Sequence, residues 1–485
     1  MRMFVLVNSE IRTLTIIIVL LSRVFLVSAQ EYFMGSLRED AAYERIPRVA
    51  PLLTRDYRIL PTSHSLRQYC PTPGDQSTFG TCVGWSVAYH ARTIAEAVAY
   101  GWTDAATVNA ETFSPLFLYL QIKFSNDNNC SMGAYISRAL DVSKNTGIPK
   151  YRDFNPKCAT SFPSSLLQPA RNYRIDDYRT LFGLRATQAE KINRVKKSLS
   201  ENKPVVISMK CYRSFNNAKD RWCGTADSFL GYHAMVVVGY CNEKYGGAFE
   251  LLNSWGTRWG NGGYTWVTYS DFANNVDYSY EIFVRSKIDP PTPDPVRPDP
   301  VPEPDRLVNL AGSVRLELST GQEMPAALFS TFSASYYRLE NKYIAGTRFR
   351  VFISNNEPAY VYAIGSDQTN NPVVLFPQSG ISALMPYRQN NIAIPGEHSL
   401  MQLDVSAGSE TDFLLILYSH DELSVNEVVN AIKNGTGNFA NRIAIALGEK
   451  MVPAREATYE RNAMRFRVRN TERSVVPVII EINRR

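Results

Sequence analysis

Four residues could together do acyl-transfer chemistry: Gln76, Cys82, His233 and Asn253. They stand in the segments Gln76-Ser77-Thr78-Phe79-Gly80-Thr81-Cys82, Gly231-Tyr232-His233-Ala234 and Leu251-Leu252-Asn253-Ser254-Trp255-Gly256. A thiol, an imidazole and a carboxamide supply a nucleophile, its base and the group that orients the base. An upstream glutamine amide supplies a donor for the oxyanion of a tetrahedral intermediate.

Each role needs a mount. A helix is expected to begin at Cys82, because Ala88, Ala91, Ile94, Ala95, Val98 and Ala99 recur at helical spacing. A thiol at a helix N-terminus meets backbone N–H groups and the positive end of the dipole, so its pKa is expected to be lowered. Gly80 and Gly84 flank it and leave room for substrate to approach. His233 opens a β-branched run, a rigid place for a base. His90 lies about 12 Å along the helix from Cys82 and cannot pair with it. His64 is in the lead-in, and His398 and His420 lie far downstream. Asn253 can accept the ring N–H of His233, and Trp255 can shield that bond from water. Taken singly, each of these residues has an ordinary structural explanation. The combination is what points to catalysis.

The rest of the segment from 60 to 288 should build two lobes with a cleft between them. Ser114-Pro115 reads as a helix start and Gly147 as a helix end. Residues 188–199 read as one further helix. Short β-branched and aromatic runs follow near 205–209, 234–238, 249–252, 263–267 and 280–284, separated by Gly, Asn and Asp. A helical half followed by a strand-rich half makes an α+β domain.

These motifs resemble the papain family of cysteine peptidases. The likeness runs through Leu60-Pro61, Leu66-Arg67, the Gln76 to Cys82 element, His233-Ala234 to Gly239-Tyr240, and Asn253-Ser254-Trp255-Gly256 with Trp259-Gly260 and Gly263-Tyr264. It implies a fold with a helical lobe and a barrel-like β lobe, with Gln76 as oxyanion donor, Cys82 as nucleophile, His233 as base and Asn253 as orienter. It implies a protein or peptide substrate and neither a cofactor nor a metal. Two positions depart from the family pattern: Phe79 stands where relatives carry a cysteine, and Val83 where many carry tryptophan. Residues 30–59 read as a lead-in or a short pro-segment, too short for the long helical inhibitory segment of many relatives. Control of the site by such a segment is not expected. A transpeptidase or amide ligase would use the same thioester, and an inactive peptidase-like binding protein would keep only the scaffold.

Bulk properties set the frame. The chain has 485 residues, 45% hydrophobic and 20% charged, with a formal net charge of +6 and no dense basic run, so a nucleic-acid partner has little support. Arg2 and Arg12 precede an apolar run from Leu14 to Leu21, and the segment ends at Val27-Ser28-Ala29, read as a signal peptide over 1–29. A buried N-terminal helix is the alternative. Arg23 interrupts the apolar stretch, which falls short of the roughly 20 residues a membrane span needs, so no stable span is expected there. Export to a secreted, periplasmic or cell-surface location follows.

Seven cysteines fit that location: with Cys82 reserved, six could pair. Cys211 with Cys223 and Cys130 with Cys158 are the pairs suggested by position. No Cys-x-x-Cys spacing suggests zinc.

Residues 289–305 are dense in proline and read as a semi-rigid linker. Beyond it, 306–485 reads as a β-rich, sandwich-like unit with a helical insertion over 425–432 and 439–447. Through Gly346-Thr347-Arg348-Phe349, Tyr360-Val361-Tyr362, Val374-Leu375-Phe376-Pro377 and Ile392-Ala393-Ile394-Pro395 it resembles an uncharacterised domain that follows peptidase domains in bacterial exported proteins. No nucleophile or metal set stands out in it, so binding another protein or the cell surface is its expected role.

Overall fold

The structure is a computed structural model and describes residues 32–224, 227–285, 307–330, 335–403 and 410–485. The expected signal peptide at 1–29 and proline-rich linker at 289–305 lie outside the described residues. Among the described residues, no helix is long and apolar enough to cross a membrane.

The helical lobe is organised by one continuous rod over residues 82–100. It opens as Cys82–Gly84, widens into a π-helical stretch at Trp85–Arg92 and returns to α-helix at Thr93–Tyr100. Gly101, at φ 69°, ends it. Ala88, Ala91 and Ile94 are fully buried, so small residues let this rod sit deep among its neighbours. The helices Pro115–Ile122 and Ile136–Asn145 pack around it. Ser114 caps the first of these by accepting from the Phe117 N–H at 3.2 Å.

The second lobe is a sheet of eight strands: β1 (Ser63–Ser65), β2 (Asp177–Thr180), β3 (Val205–Tyr212), β4 (Arg221–Trp222), β5 (Phe229–Cys241), β6 (Ala248–Leu252), β7 (Tyr264–Thr268) and β8 (Val276–Phe283). Their order is β2-β8-β3-β5-β6-β7-β4, with β1 on β5. Every pairing is antiparallel except β4 with β7. Residues 234–238 are all buried, which explains why this strand reads as a continuous apolar run rather than an alternating one.

The C-terminal region is rich in β structure. Its strands are β9 (Val308–Leu318), β10 (Ala326–Ser330), β11 (Ser335–Leu339), β12 (Arg348–Asn355), β13 (Ala359–Asp367), β14 (Val373–Phe376), β15 (Leu384–Met385), β16 (Asn390–Ile394), β17 (Met401–Gln402), β18 (Thr411–Ser419), β19 (Thr458–Tyr459), β20 (Arg465–Thr471) and β21 (Val475–Asn483). They form two sheets, β10-β11-β21-β18-β13-β14 with β15, and β16-β12-β9-β20-β19 with β17. Val361, Leu414, Ile416, Val478 and Ile480 face a core shared with Val351 and Ile353 of the other sheet. The alternate residues Tyr360, Tyr362, Leu415, Leu417 and Ile479 pack on the other side against Val425–Asn434 and Phe439–Leu447. Period-two alternation thus serves two cores at once.

One disulfide is present among the described residues, Cys130–Cys158. The expected Cys211–Cys223 bridge is not: both are free thiols, Cys211 buried in β3 and Cys223 exposed.

Candidate active site

The register of the sheet assembles half of the site. Val236 pairs with Leu252 across β5 and β6. Carrying that register one step sets Asn253 opposite Met235, with His233 two residues away on the same face. The His233 Nε2 and Asn253 Oδ1 lie 2.7 Å apart, and both residues are fully buried. The Ser254 N–H also donates to this oxygen at 2.7 Å, so the carboxamide is fixed at both sides. Trp255 packs over the imidazole with centroids 4.7 Å apart, and Tyr32 stacks on Trp255 at 4.1 Å. The other ring nitrogen, Nδ1 of His233, is buried without a hydrogen-bond partner among the described residues.

Cys82 comes to the same place from the helical lobe. Its sulfur accepts from the backbone N–H of Ala234, the residue after His233, at 3.5 Å. The thiol is fully buried, and burial pushes it up to about 11. This corrects the expectation of a lowered pKa. The helix-end N–H groups of Cys82 and Val83 do pull it down, as do those of Ala234 and Gly35, but desolvation outweighs them. Burial likewise pushes His233 down to about 4, opposed by its bond to Asn253.

Gln76 is buried as well. Its Oε1 accepts from Ser254 Oγ at 2.7 Å, which ties it to the Asn253 loop. Its Nε2 donates to Phe79 O at 2.7 Å and to Phe33 O at 3.0 Å. The amide that could hold an oxyanion is thus occupied by the lead-in.

Residues 32–37 of the lead-in run between the two lobes beside Cys82. After Tyr32 on Trp255 and Phe33 on Gln76, Gly35 passes Cys82. Ser36 N donates to Tyr232 O at 3.1 Å on the β lobe, while Leu37 N donates to Ala134 O at 3.0 Å and Ala134 N to Gly35 O at 2.9 Å on the helical lobe. The segment therefore bonds to both walls. The fit leaves no room for a side chain at position 35, where a Cβ would stand 2.1 Å from Gly80 O.

Of the flanking glycines, Gly80 forms cleft floor beneath Gly35. Gly84 does not serve the cleft: a Cβ there would meet Pro115 O at 2.4 Å, so its bareness lets two helices of one lobe touch. His90 is apart from the site, as its spacing required; its Nε2 accepts from the Gly74 N–H at 3.2 Å, and burial pushes it down to about 3. His64 bonds Asn202 at 2.9 Å. Among the described residues, no cluster of His, Cys, Asp or Glu could hold a metal ion.

Residues 121–282 match the family model described as papain family cysteine protease. That span takes in His233 and Asn253 and begins after Cys82. An uncharacterized peptidase C1-like protein of Acanthamoeba polyphaga mimivirus is 25% identical over 219 residues, 41% of this chain and 65% of that protein. Cathepsin B-like cysteine proteinase 2 of Haemonchus contortus is 32% identical over 76 residues, 16% of this chain and 22% of that protein. The chain thus spans from about a fifth to just under two thirds of these curated relatives. Among solved structures, xylellain, a cysteine protease from Xylella fastidiosa, is 21% identical, covers 53% of this chain and 97% of its own, and superposes with a TM-score of 0.43. By the family model and the curated relatives, the chain is papain-family cysteine peptidase-like, at low identity.

Proposed function

We propose that this protein is an exported papain-like cysteine endopeptidase, folded here in a latent form. The observation that carries the reading is that the Cys82 sulfur accepts from the N–H of Ala234, next to His233 whose ring bonds Asn253, while the Gln76 amide bonds a stretch of polypeptide laid across the same region.

In the released form, His233 Nδ1 takes the proton of Cys82, and the thiolate attacks a substrate carbonyl carbon. Gln76 Nε2 and the Cys82 backbone N–H hold the oxyanion. The intermediate collapses to a thioester, and the protonated His233 gives its proton to the departing amine. Water, deprotonated by His233, then attacks the thioester and frees the acid and the thiol. Asn253 keeps the ring in the tautomer that leaves Nδ1 available.

Latency has a physical basis in the same atoms. Water and substrate are excluded, the thiol stays protonated near neutral pH, and Gln76 is engaged by Phe33. The test is to free the cleft with Gly35→Val, treat with a peptidyl vinyl sulfone and sequence the products from a peptide library. Adduct at Cys82 with internal peptide cleavage is expected. Absence of both in a folded Gly35→Val chain would sink the reading.

A further inference from the structure

Having crossed the cleft, the lead-in enters the seam between the catalytic half and the C-terminal region. Arg48 lies between two β elements and bridges both, parallel to Thr180 on one side and to Ile381 on the other. The Val49 N–H donates to Thr180 O at 3.0 Å, on β2, the edge of the catalytic sheet. On the opposite side Arg48 N donates to Gly380 O at 2.9 Å, and Ser382 N to Arg48 O at 2.8 Å. The side chains divide in the same way. Val49 and Leu52 belong to the catalytic core, while Ala50 belongs to the core between the two C-terminal sheets.

Further along, Leu53 N donates to Asn391 O at 3.2 Å, and Thr54 gives both its N–H and its hydroxyl to Glu397 Oε2, at 2.9 and 2.7 Å. The seam is also stitched directly. Asp177, fully buried, accepts from Tyr360 OH at 2.8 Å and holds Arg179, whose Nε donates to Ser382 Oγ at 2.5 Å. Tyr387 OH donates to Glu281 at 2.8 Å.

The two ends of the lead-in are mechanically joined. Between Gly35 and Arg48 lies the short helix Asp40–Arg45. It is pinned by Tyr43, which is buried, stacks on Tyr278 at 4.5 Å and donates to Phe182 O at 2.5 Å. A segment bonded only to a sheet edge can peel away one hydrogen bond at a time. A segment bonded on both sides must lose both sets together, leaving buried polar groups unpaired.

We propose that the C-terminal region is an intramolecular clamp that holds the lead-in seated across Cys82, so that loosening its seam opens the catalytic cleft. The proposal rests on the latent-peptidase reading above. It gives the β-rich region a regulatory part in the same chain.

The test compares two full-length variants by the rate at which a peptidyl epoxide alkylates Cys82. One is Gly35→Val, which evicts the lead-in at the cleft. The other is the triple variant Tyr360→Phe, Ser382→Ala and Glu397→Ala, which touches only the seam. Both are expected to react at least tenfold faster than the parent, with trypsin cutting within residues 32–58 correspondingly faster. A parent-like rate in the seam variant beside fast alkylation of Gly35→Val overturns the clamp and spares the peptidase. No acceleration in either, with both folded, overturns the latent reading and the clamp with it. If the triple variant lacks a cooperative thermal transition, Tyr360→Phe alone replaces it. A roughly threefold rise is then expected, as for one hydrogen bond lost, and an unchanged rate contradicts the clamp.

Discussion

The carbonyl oxygen of Phe33 accepts a hydrogen bond from the side-chain amide of Gln76 at 3.0 Å. One main-chain group of the lead-in thus holds the amide that the proposed mechanism assigns to a substrate oxyanion, and Cys82 and His233 are both fully buried. Several consequences can be measured.

Gln76→Ala should act in opposite directions on two readouts. Losing the bond to Phe33 loosens the lead-in, so alkylation of Cys82 in the full chain should quicken. Losing the oxyanion donor should lower kcat of the Gly35→Val chain by about 10² to 10³. A purely structural glutamine would change stability without lowering kcat at saturating substrate.

Acid should favour the open form. The closed-state pKa of His233, about 4, lies below the ordinary 6.5, so opening takes up a proton at any pH between the two. The closed form keeps its full advantage above about pH 6.5 and loses it progressively as pH falls toward 4. No charged group contributes to the shift; desolvation causes it and Asn253 opposes it. Cys82, pushed up to about 11, is protonated in both forms at acid pH and adds nothing there. Hydrogen exchange at the Leu37 amide, corrected for its intrinsic pH dependence, should report on the order of tenfold more opening at pH 5 than at pH 7. A pH-independent opening constant would contradict this.

The single disulfide should matter for the helical lobe. Cys130–Cys158 closes a sequence separation of 28 residues, and Gly80 N donates to Cys130 O at 2.8 Å, so the bridge steadies the floor of the cleft. Cys130→Ser together with Cys158→Ser should cost about 2–4 kcal/mol in denaturant unfolding. An unchanged midpoint would show that the bridge constrains nothing.

Gly84→Val should destabilise without addressing the substrate cleft. Its side chain would collide with Pro115 O. A loss of about 1–3 kcal/mol is expected, seen as a lower thermal midpoint. An unchanged KM in folded protein at low temperature would accompany it.

How far the sequence could be read depended on the range of the forces involved. The pairing of His233 with Asn253 is expected from the chemistry of a ring N–H and a carboxamide and from the family resemblance, and the helix start at Cys82 from the spacing of apolar residues. The helices at 115–122 and 188–200 carry their own caps in Ser114 and Thr187. The lead-in was not legible, because nothing local in Tyr32-Phe33-Met34-Gly35 reveals that Gly35 fits against Gly80 and Gly133. The pKa of Cys82 is not legible for the same reason: the helix end shows in the sequence and the covering segment does not. The strands Val308–Leu318 and Arg465–Thr471 escaped notice, the latter because arginines alternate with its buried residues.

The central claim is that Cys82 is the attacking nucleophile of a peptidase. Its most direct test is cleavage of an unfolded protein substrate by the Gly35→Val chain, with and without Cys82→Ala. Cleavage by the Gly35→Val chain is expected to be abolished by Cys82→Ala while the melting curve is retained. Equal cleavage by the two chains would contradict it.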